Sequence, residues 1–405
     1  MIELSQIATN GLLAQVLAND PLVQPYNDVE GVSLSYDEDL VRYAVMFAAC
    51  ETPPHWQGTI EFSRKVAMLL GTLGRRWERG HYGEPYEEED YWLEHFWHRH
   101  GRELLGEKRS PIVVEVAAGP NYGREGRPEA YLRGDGTNYR LSIRRSPGSR
   151  LQYAAAGGRI VPQSPPSGNA TYGTIGGFLE DAASGRLHAM TASHVSNGCG
   201  GFVSPTWLPG AASPMRAAVR AIVGAISPIA PHAYRPELCD FEDDSKPSVV
   251  QPNYCTAQNT PSTSGLDVAL HAAAANRRSV ANRIRSGKLA DLSQGVPLTF
   301  VGATSGRQKV TISNYSVWQS YRLANGDQVC IHDCLQIKLP DRPYVRTNVS
   351  EGGDSGAWLL ADGLAGPSWI GMLIGGDGDR AGIVPAERIV SHFEQQMRTQ
   401  LVPAL

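Results

Sequence analysis

Three short stretches hold residue types that can do chemistry together. Glu351-Gly352-Gly353-Asp354-Ser355-Gly356 sets a serine among small residues and runs into the apolar Ala357-Trp358-Leu359-Leu360. Glycines let a backbone turn tightly and admit a close neighbour. Such a turn can aim amide N–H groups, here those of Gly353 and Ser355, at one developing oxyanion. Asp354 cannot be the base for the adjacent hydroxyl, because the two side chains point apart. Met190-Thr191-Ala192-Ser193-His194 ends an apolar run in a histidine, and Gly265-Leu266-Asp267-Val268-Ala269-Leu270 sets an aspartate among strand formers. An aspartate there costs free energy unless it is paired. A serine nucleophile, a histidine base and an aspartate that orients the imidazole are the parts of acyl transfer. Plainer readings stand beside this one: an ordinary turn at Gly353–Gly356, a satisfied core histidine, a strand-end cap at Asp267. Asp240, Asp243 and Asp244 are rival acids in an exposed acidic cluster. His188 and His271 also lie near the motifs, and the even spacing puts His188 on the strand face of His194.

The order in the chain is His, Asp, Ser, the chymotrypsin-type order rather than that of subtilisin or the α/β-hydrolases. These segments resemble those of the trypsin/chymotrypsin-like serine peptidases, which carry T-A-A-H, D-[IV]-A-L and G-D-S-G. They are closer to the intracellular bacterial-type branch, with its G-T-[IL]-G start (Gly173-Thr174-Ile175-Gly176-Gly177) and its V-G-x-T-[ST]-G segment (Val301-Gly302-Ala303-Thr304-Ser305-Gly306). The resemblance implies a serine endopeptidase with His194, Asp267 and Ser355 as its triad. It places the pocket floor at Val349 and Ser350 and the pocket wall at Ile374, Gly375 and Gly376. No aspartate stands at the floor, so selection of Lys or Arg has no support and a small or apolar P1 residue is expected. Arg159-Ile160-Val161 is similar to a zymogen cleavage site, whose new terminus would pair with Asp354, but Pro162 and Gln163 replace the glycines of that family. Two other readings remain: a protease-like binding module with an idle triad, and an esterase using the same residues.

Composition narrows the class. The 405 residues are 41% hydrophobic, enough for one large or two ordinary domains. A net charge of −4 supplies no global field toward nucleic acid or membrane. No apolar run is long enough to span a bilayer. The start Met1-Ile2-Glu3-Leu4-Ser5-Gln6 lacks the basic and apolar regions of a signal peptide. Val195 and Glu351 stand where secreted relatives carry cysteines, so the six cysteines read as free thiols in the cytoplasm. No cofactor or metal is called for. Cys330 and Cys334, and His95 and His98 with His100 nearby, have metal-like spacings but lack further ligands. The expected partners are a protein or peptide substrate and a regulatory partner for the N-terminal region.

The elements that must position these residues follow from periodicity. Apolar residues at helical spacing fill 37–50, 59–76 and 87–105, and a short helix is read near Ile7–Leu17. Pro111–Val116 and Tyr139–Ile143 read as strands, and Arg140, Arg144, Arg145 and Arg150 form a basic loop or an anion site. From Thr171 short strands alternate with turns: Thr174–Glu180 and Arg186–Ala192 as a hairpin, then Pro297–Gly302, Lys309–Gln319, Val329–Lys338, Ala357–Leu360 and Trp369–Ile374. Ile389, Val390, Phe393 and Met397 mark a closing amphipathic helix. The fold class is therefore α+β: a mainly helical N-terminal domain (1–110), a β/loop connecting region (111–156) and an antiparallel double β-barrel of chymotrypsin-like type with a C-terminal helix (157–405). The Gly/Pro/Ser stretch Gly157–Asn169 is the boundary, and the N-terminal region is expected to be separable.

Overall fold

A computed structural model describes residues 29–37, scattered positions within 44–69, 112–119, 130–134, 137–146, 150–151, 159–162, 173–197, 203–204, 248–250, 253–254, 265–272, 283–288, 292, 297–322, 328–340, 348–363 and 366–405. Most of these residues are in strands, and the chain ends on the helix Ala386–Met397 and a last strand, Leu401–Ala404.

Six strands close on themselves. Pro297–Gly302 pairs with Gly306–Arg322, and that strand with Gln328–Lys338. The ring continues through Ala381–Pro385, Gly366–Gly376 and Trp358–Gly363 and returns to Pro297–Gly302, with every pairing antiparallel. Closure removes most strand edges along the ring, the end of Gly366–Gly376 beyond the Trp358↔Met372 pair being an exception. Alternation along Trp358–Gly363 explains its apolar run. Leu359 and Ala361 point into the barrel core with Phe300 and Ile312, while Trp358 and Leu360 point to a second core.

That second core belongs to a five-stranded sheet in the order Ser248–Val250, Val268–Ala272, Leu187–Thr191, Gly177–Asp181, Leu401–Ala404. The expected hairpin is present. Asp181 Oδ1 accepts from the amides of Ala183 (2.8 Å) and Ser184 (3.3 Å), which closes the turn between its strands. Trp358 stacks on Trp369 with ring centroids 4.2 Å apart, an arrangement worth about 0.5–1.5 kcal/mol beyond its area. The closing helix buries Ile389 and Phe393 against the same core, with Val390 and Met397 partly covered. Among the described residues the six-strand ring closes, the five-stranded sheet is open, and a small three-stranded sheet joins Val203–Ser204, Arg159–Pro162 and Gly173–Thr174.

The N-terminal region departs from its expected separateness. Val29–Tyr36, within the stretch assigned to a helical domain, is a strand that pairs with Gly306–Arg322 on one side and Ile112–Ala118 on the other. Thr137–Arg145 then joins Ile112–Ala118 in parallel, and Ala130–Gly134 follows. The described positions at 44–46, 48–49, 62, 65–66 and 69 are helical. Ala44, Ala48, Phe62, Val66 and Leu69 share one core with Val32, Leu34 and the barrel residue Phe300. The helices read near Ile7–Leu17 and over 87–105, with His95, His98 and His100, lie outside the described residues. So do Asp240, Asp243 and Asp244.

Arg144 belongs to neither a solvated loop nor an anion site. Its guanidinium donates to Asp377 Oδ2 (2.8 Å) and Glu115 Oε1 (3.2 Å), and Glu115 also binds Arg380, with Arg380 Nη2 at 2.9 Å from Oε2. Cys330 is disulfide-bonded and Cys334 is a buried free thiol, so the reading of free thiols throughout fails at Cys330. The partner sulfur of Cys330 lies outside the described residues. Burial pushes the Cys334 thiol up to about 12. No helix among the described residues is long and apolar enough to cross a membrane.

Because Val29–Tyr36 and Ile112–Ala118 are built into the barrel sheet and core, the fragment 157–405 should lose its cooperative thermal transition. Removing several fully buried aliphatic side chains costs about 2–5 kcal/mol each, a large part of a domain's stability. Calorimetry of the fragment checks this, and a sharp transition near that of the full chain would restore the separable reading.

Candidate active site

The strand Leu187–Thr191 delivers the histidine indirectly. It ends at Thr191, and a five-residue helical turn, Ser193–Asn197, carries His194. The even-spacing argument that put His188 on the face of His194 therefore does not extend past the strand. His188 pairs with Ala272 at the far end of the hairpin, and His271 sits opposite Ala189. Burial lowers the His271 pKa to about 4, so its ring is neutral near pH 7.

Asp267 precedes the strand Val268–Ala272 and is fully buried. Its Oδ2 meets His194 Nδ1. Its Oδ1 accepts from the His194 amide at 2.9 Å and from Ser193 Oγ at 2.5 Å. Burying a carboxylate so deep costs free energy unless its oxygens are hydrogen-bonded, and here every one of these donors comes from the two residues Ser193 and His194. The sheet register makes the meeting unavoidable, because Ala269 is paired with Thr191 three residues before the histidine. Ser193 was not among the candidate residues. A hydroxyl next to the histidine in an otherwise apolar run was the available signal.

Ser355 comes from the other sheet. Its turn is bound to the Gly173–Gly177 segment by the Thr174 amide, which donates to the Ser355 carbonyl (2.7 Å), and by Thr174 Oγ1, which donates to the Gly353 carbonyl (2.7 Å). Thr174 Oγ1 also accepts from the Ala303 amide (3.0 Å), and Thr191 Oγ1 donates to the Thr174 carbonyl (2.9 Å). A Cβ added to Gly173 would lie 2.5 Å from Val195 Cγ2 and 2.8 Å from the Ser355 carbonyl oxygen. One point thus touches both the neighbour of His194 and the backbone of Ser355. The Ser355 hydroxyl itself donates to the Ile374 carbonyl (2.8 Å), and Ser355 and Asp354 are fully buried while His194 is 8% exposed.

Gly353 has φ +99°, a left-handed conformation suited to glycine, and among the described residues its amide donates to no backbone carbonyl. The turn is fixed by Asp354. Its carboxylate accepts from the amides of Thr304 (2.9 Å), Ser305 (3.0 Å) and Glu351 (2.8 Å) and from Ser305 Oγ (2.5 Å). A carboxylate offers about four lone-pair sites, and donors of this chain occupy them. A new terminus released by cleavage before Ile160 would find no free acceptor, and the Arg159–Pro162 strand is already paired with Gly173–Thr174. Gly302 makes this grip possible, since a Cβ there would lie 2.1 Å from Asp354 Oδ1. The pocket positions are partly tied to the same region. Val349 donates its amide to the Gly378 carbonyl (2.8 Å), and Val349, Ser350, Ile374, Gly375 and Gly376 are all buried. Among the described residues no three His, Cys, Asp or Glu side chains are grouped to hold a metal ion.

No family model and no curated protein matches the chain. Many solved chains are similar, among them these three. One is a glutamic acid-specific serine protease that uses a histidine triad in substrate binding: 15% identity, 62% of this chain and 99% of that chain, TM-score 0.31. Another is an inactive form of Rv3671c from M. tuberculosis H37Rv: 15% identity, 55% and 86% coverage, TM-score 0.26. The third is an inactive chimeric murine norovirus NS6 protease: 13% identity, 56% and 91% coverage, TM-score 0.26. Scores this low fix neither the fold nor an activity.

Gly302→Ala should drive the Asp354 carboxylate off the Thr304–Ser305 turn and carry the Gly353 and Ser355 amides with it. The rate at which a fluorophosphonate labels Ser355 should fall about 10²-fold, the scale of losing one oxyanion donor. Ser305→Ala, which keeps the amide donor, should fall less. A Gly302→Ala protein labelled at the wild-type rate would refute this role for Asp354.

Proposed function

We propose that the chain is a serine endopeptidase. The observation that carries this reading is the fully buried Asp267, whose two oxygens are committed to His194 and Ser193. An aspartate on Nδ1 fixes the tautomer that leaves Nε2 as the basic nitrogen and stabilises the imidazolium once it forms. Ser355 Oγ leaves the Ile374 carbonyl by rotation about χ1, gives its proton to His194 Nε2 and adds to the scissile carbonyl. The oxyanion forms against the amides of Gly353 and Ser355. His194 returns the proton to the leaving amine, and water then opens the acyl-enzyme by the same base. The pocket over Val349, with Ile374, Gly375 and Gly376 as its wall, suits a small or apolar P1 side chain. The N-terminal region, which shares the barrel sheet, regulates this centre.

One observation favours an idle binding module instead: the Ser355 hydroxyl is engaged by the Ile374 carbonyl. Ester hydrolysis is the other outcome open to the same residues. The Cys330 disulfide fits an oxidising compartment better than the cytoplasm.

Ser355→Ala and His194→Ala should each lower peptide kcat/KM by at least about 10³-fold; Ser355→Ala should leave the melting temperature almost unchanged, and His194→Ala should lower it, because buried Asp267 loses the donor on Oδ2. Turnover of a peptide library by the purified chain is the measurement. Equal turnover by Ser355→Ala would remove the serine mechanism, and hydrolysis of esters but no peptide would favour the esterase.

A further inference from the structure

The strand Gly366–Gly376 has an edge that its own neighbours do not fill. Trp358–Gly363 covers it as far as the Trp358↔Met372 pair. Beyond that point the covering chain has turned away into the Ser355 loop, held by Gly356 N to Leu373 O (2.7 Å) and Leu373 N to Ala357 O (2.9 Å). The edge from Ile374 onward is therefore vacated by the very turn that presents the serine. Ile374 supplies the carbonyl that receives the Ser355 hydroxyl. Gly375 and Gly376 follow, with no side chains to hold off an approaching backbone. An extended peptide laid on this edge by strand addition passes beside Ser355.

That edge is occupied by the chain itself. Leu151 pairs with Gly375 and Arg150 with Gly376, antiparallel. The opposite edge of the same two glycines is taken by Gly382 and Ala381. The residues just before are clamped in place: Arg144 and Ser146 both donate to Asp377 Oδ2, at 2.8 and 3.4 Å, one residue past Gly376. The chain re-engages in a separate three-stranded sheet. Arg159 and Ile160 pair with Thr174 and Gly173, and the Thr174 amide is bonded to the Ser355 carbonyl. The two anchor points thus flank the serine turn, one on the barrel sheet and one in the three-stranded sheet.

We infer that Arg150–Leu151 is a built-in inhibitory strand, holding the Gly375–Gly376 edge against an extended peptide substrate. The inference rests on the peptidase reading for its consequence, but its geometry does not. A tethered strand competes at an effective concentration in the millimolar range, so a free peptide must outbid it to reach Ser355. Release of the strand, by cleavage or by a partner, raises activity without any change at the triad.

The test uses the full chain with Arg150→Pro and Leu151→Pro together, which removes both amide donors from the pairing. Peptide kcat/KM should rise at least about tenfold, mainly through KM, while a fluorophosphonate still labels Ser355 in both proteins. Labelling of both with equal kcat/KM overturns the inhibitory strand and leaves the peptidase reading intact. If neither is labelled, the peptidase reading fails and the edge is judged by binding alone. A fluorescent peptide with the sequence of residues 147–153 should then bind the double variant at least tenfold more tightly than the wild type, and equal affinity overturns the proposal. Should the double variant not melt cooperatively, hydrogen exchange on the wild type decides. Joint protection of the 150–151 and 375–376 amides supports the pairing, and exchange at the rate of an open chain refutes it.

Discussion

The close approach of Gly173–Gly177 to Ser355–Trp358 is the constraint on which the rest of the structure depends. The histidine and the serine come from different sheets, and this backbone-to-backbone seam joins them. Thr174 alone contributes an amide to Ser355, a hydroxyl to Gly353 and a carbonyl to Thr191. The seam tolerates no added atoms: a Cβ on Gly176 or Gly177 would lie 2.2 or 2.6 Å from the Trp358 ring. Trp358 and its stacking partner Trp369 then extend the contact into the core between the two sheets. A rigid seam matters because acyl transfer is sensitive to displacements of about 1 Å between the reacting groups.

Two buried carboxylates complete the arrangement, and each is solved locally. Asp267 draws its donors from Ser193 and His194, so its desolvation is offset only when the histidine is in place. Asp354 draws its donors from the Thr304–Ser305 turn and from Glu351, so the serine turn is fixed by the barrel hairpin. A third charged cluster, Glu115, Arg144, Asp377 and Arg380, ties the N-terminal strands to the end of the Gly366–Gly376 strand. Such clusters confer specific geometry more than net stability, since desolvation cancels much of the attraction. That is the property a site of fixed shape requires.

Much of the barrel was legible because its strands alternate or run apolar between glycine-rich turns. Pro297–Gly302 has the expected ends, and the hairpin around Asp181 and the helix with Ile389 and Phe393 stand where periodicity puts them. Val29–Tyr36 was not legible: Val32, Leu34 and Tyr36 alternate with serines, but residues 1–37 otherwise mix short apolar groups with turn formers. Leu401–Ala404 was hidden by its proline, which an edge strand tolerates. The V-G-x-T-[ST]-G segment was recognised as a pattern, but its grip on Asp354 is a long-range contact that no local propensity encodes. The Cys330 disulfide was missed for a similar reason, since pairing depends on which strands become neighbours.

The proposed mechanism stands on acylation of Ser355 through His194 during turnover. Its most direct measurement is acid-quenched mass spectrometry of the full chain during hydrolysis of an activated ester, with peptide mapping of the adduct. One acyl group is expected, on the peptide containing Ser355, accumulating in a burst and absent in His194→Ala. Turnover with no acyl adduct, or with the adduct on another residue, would contradict it.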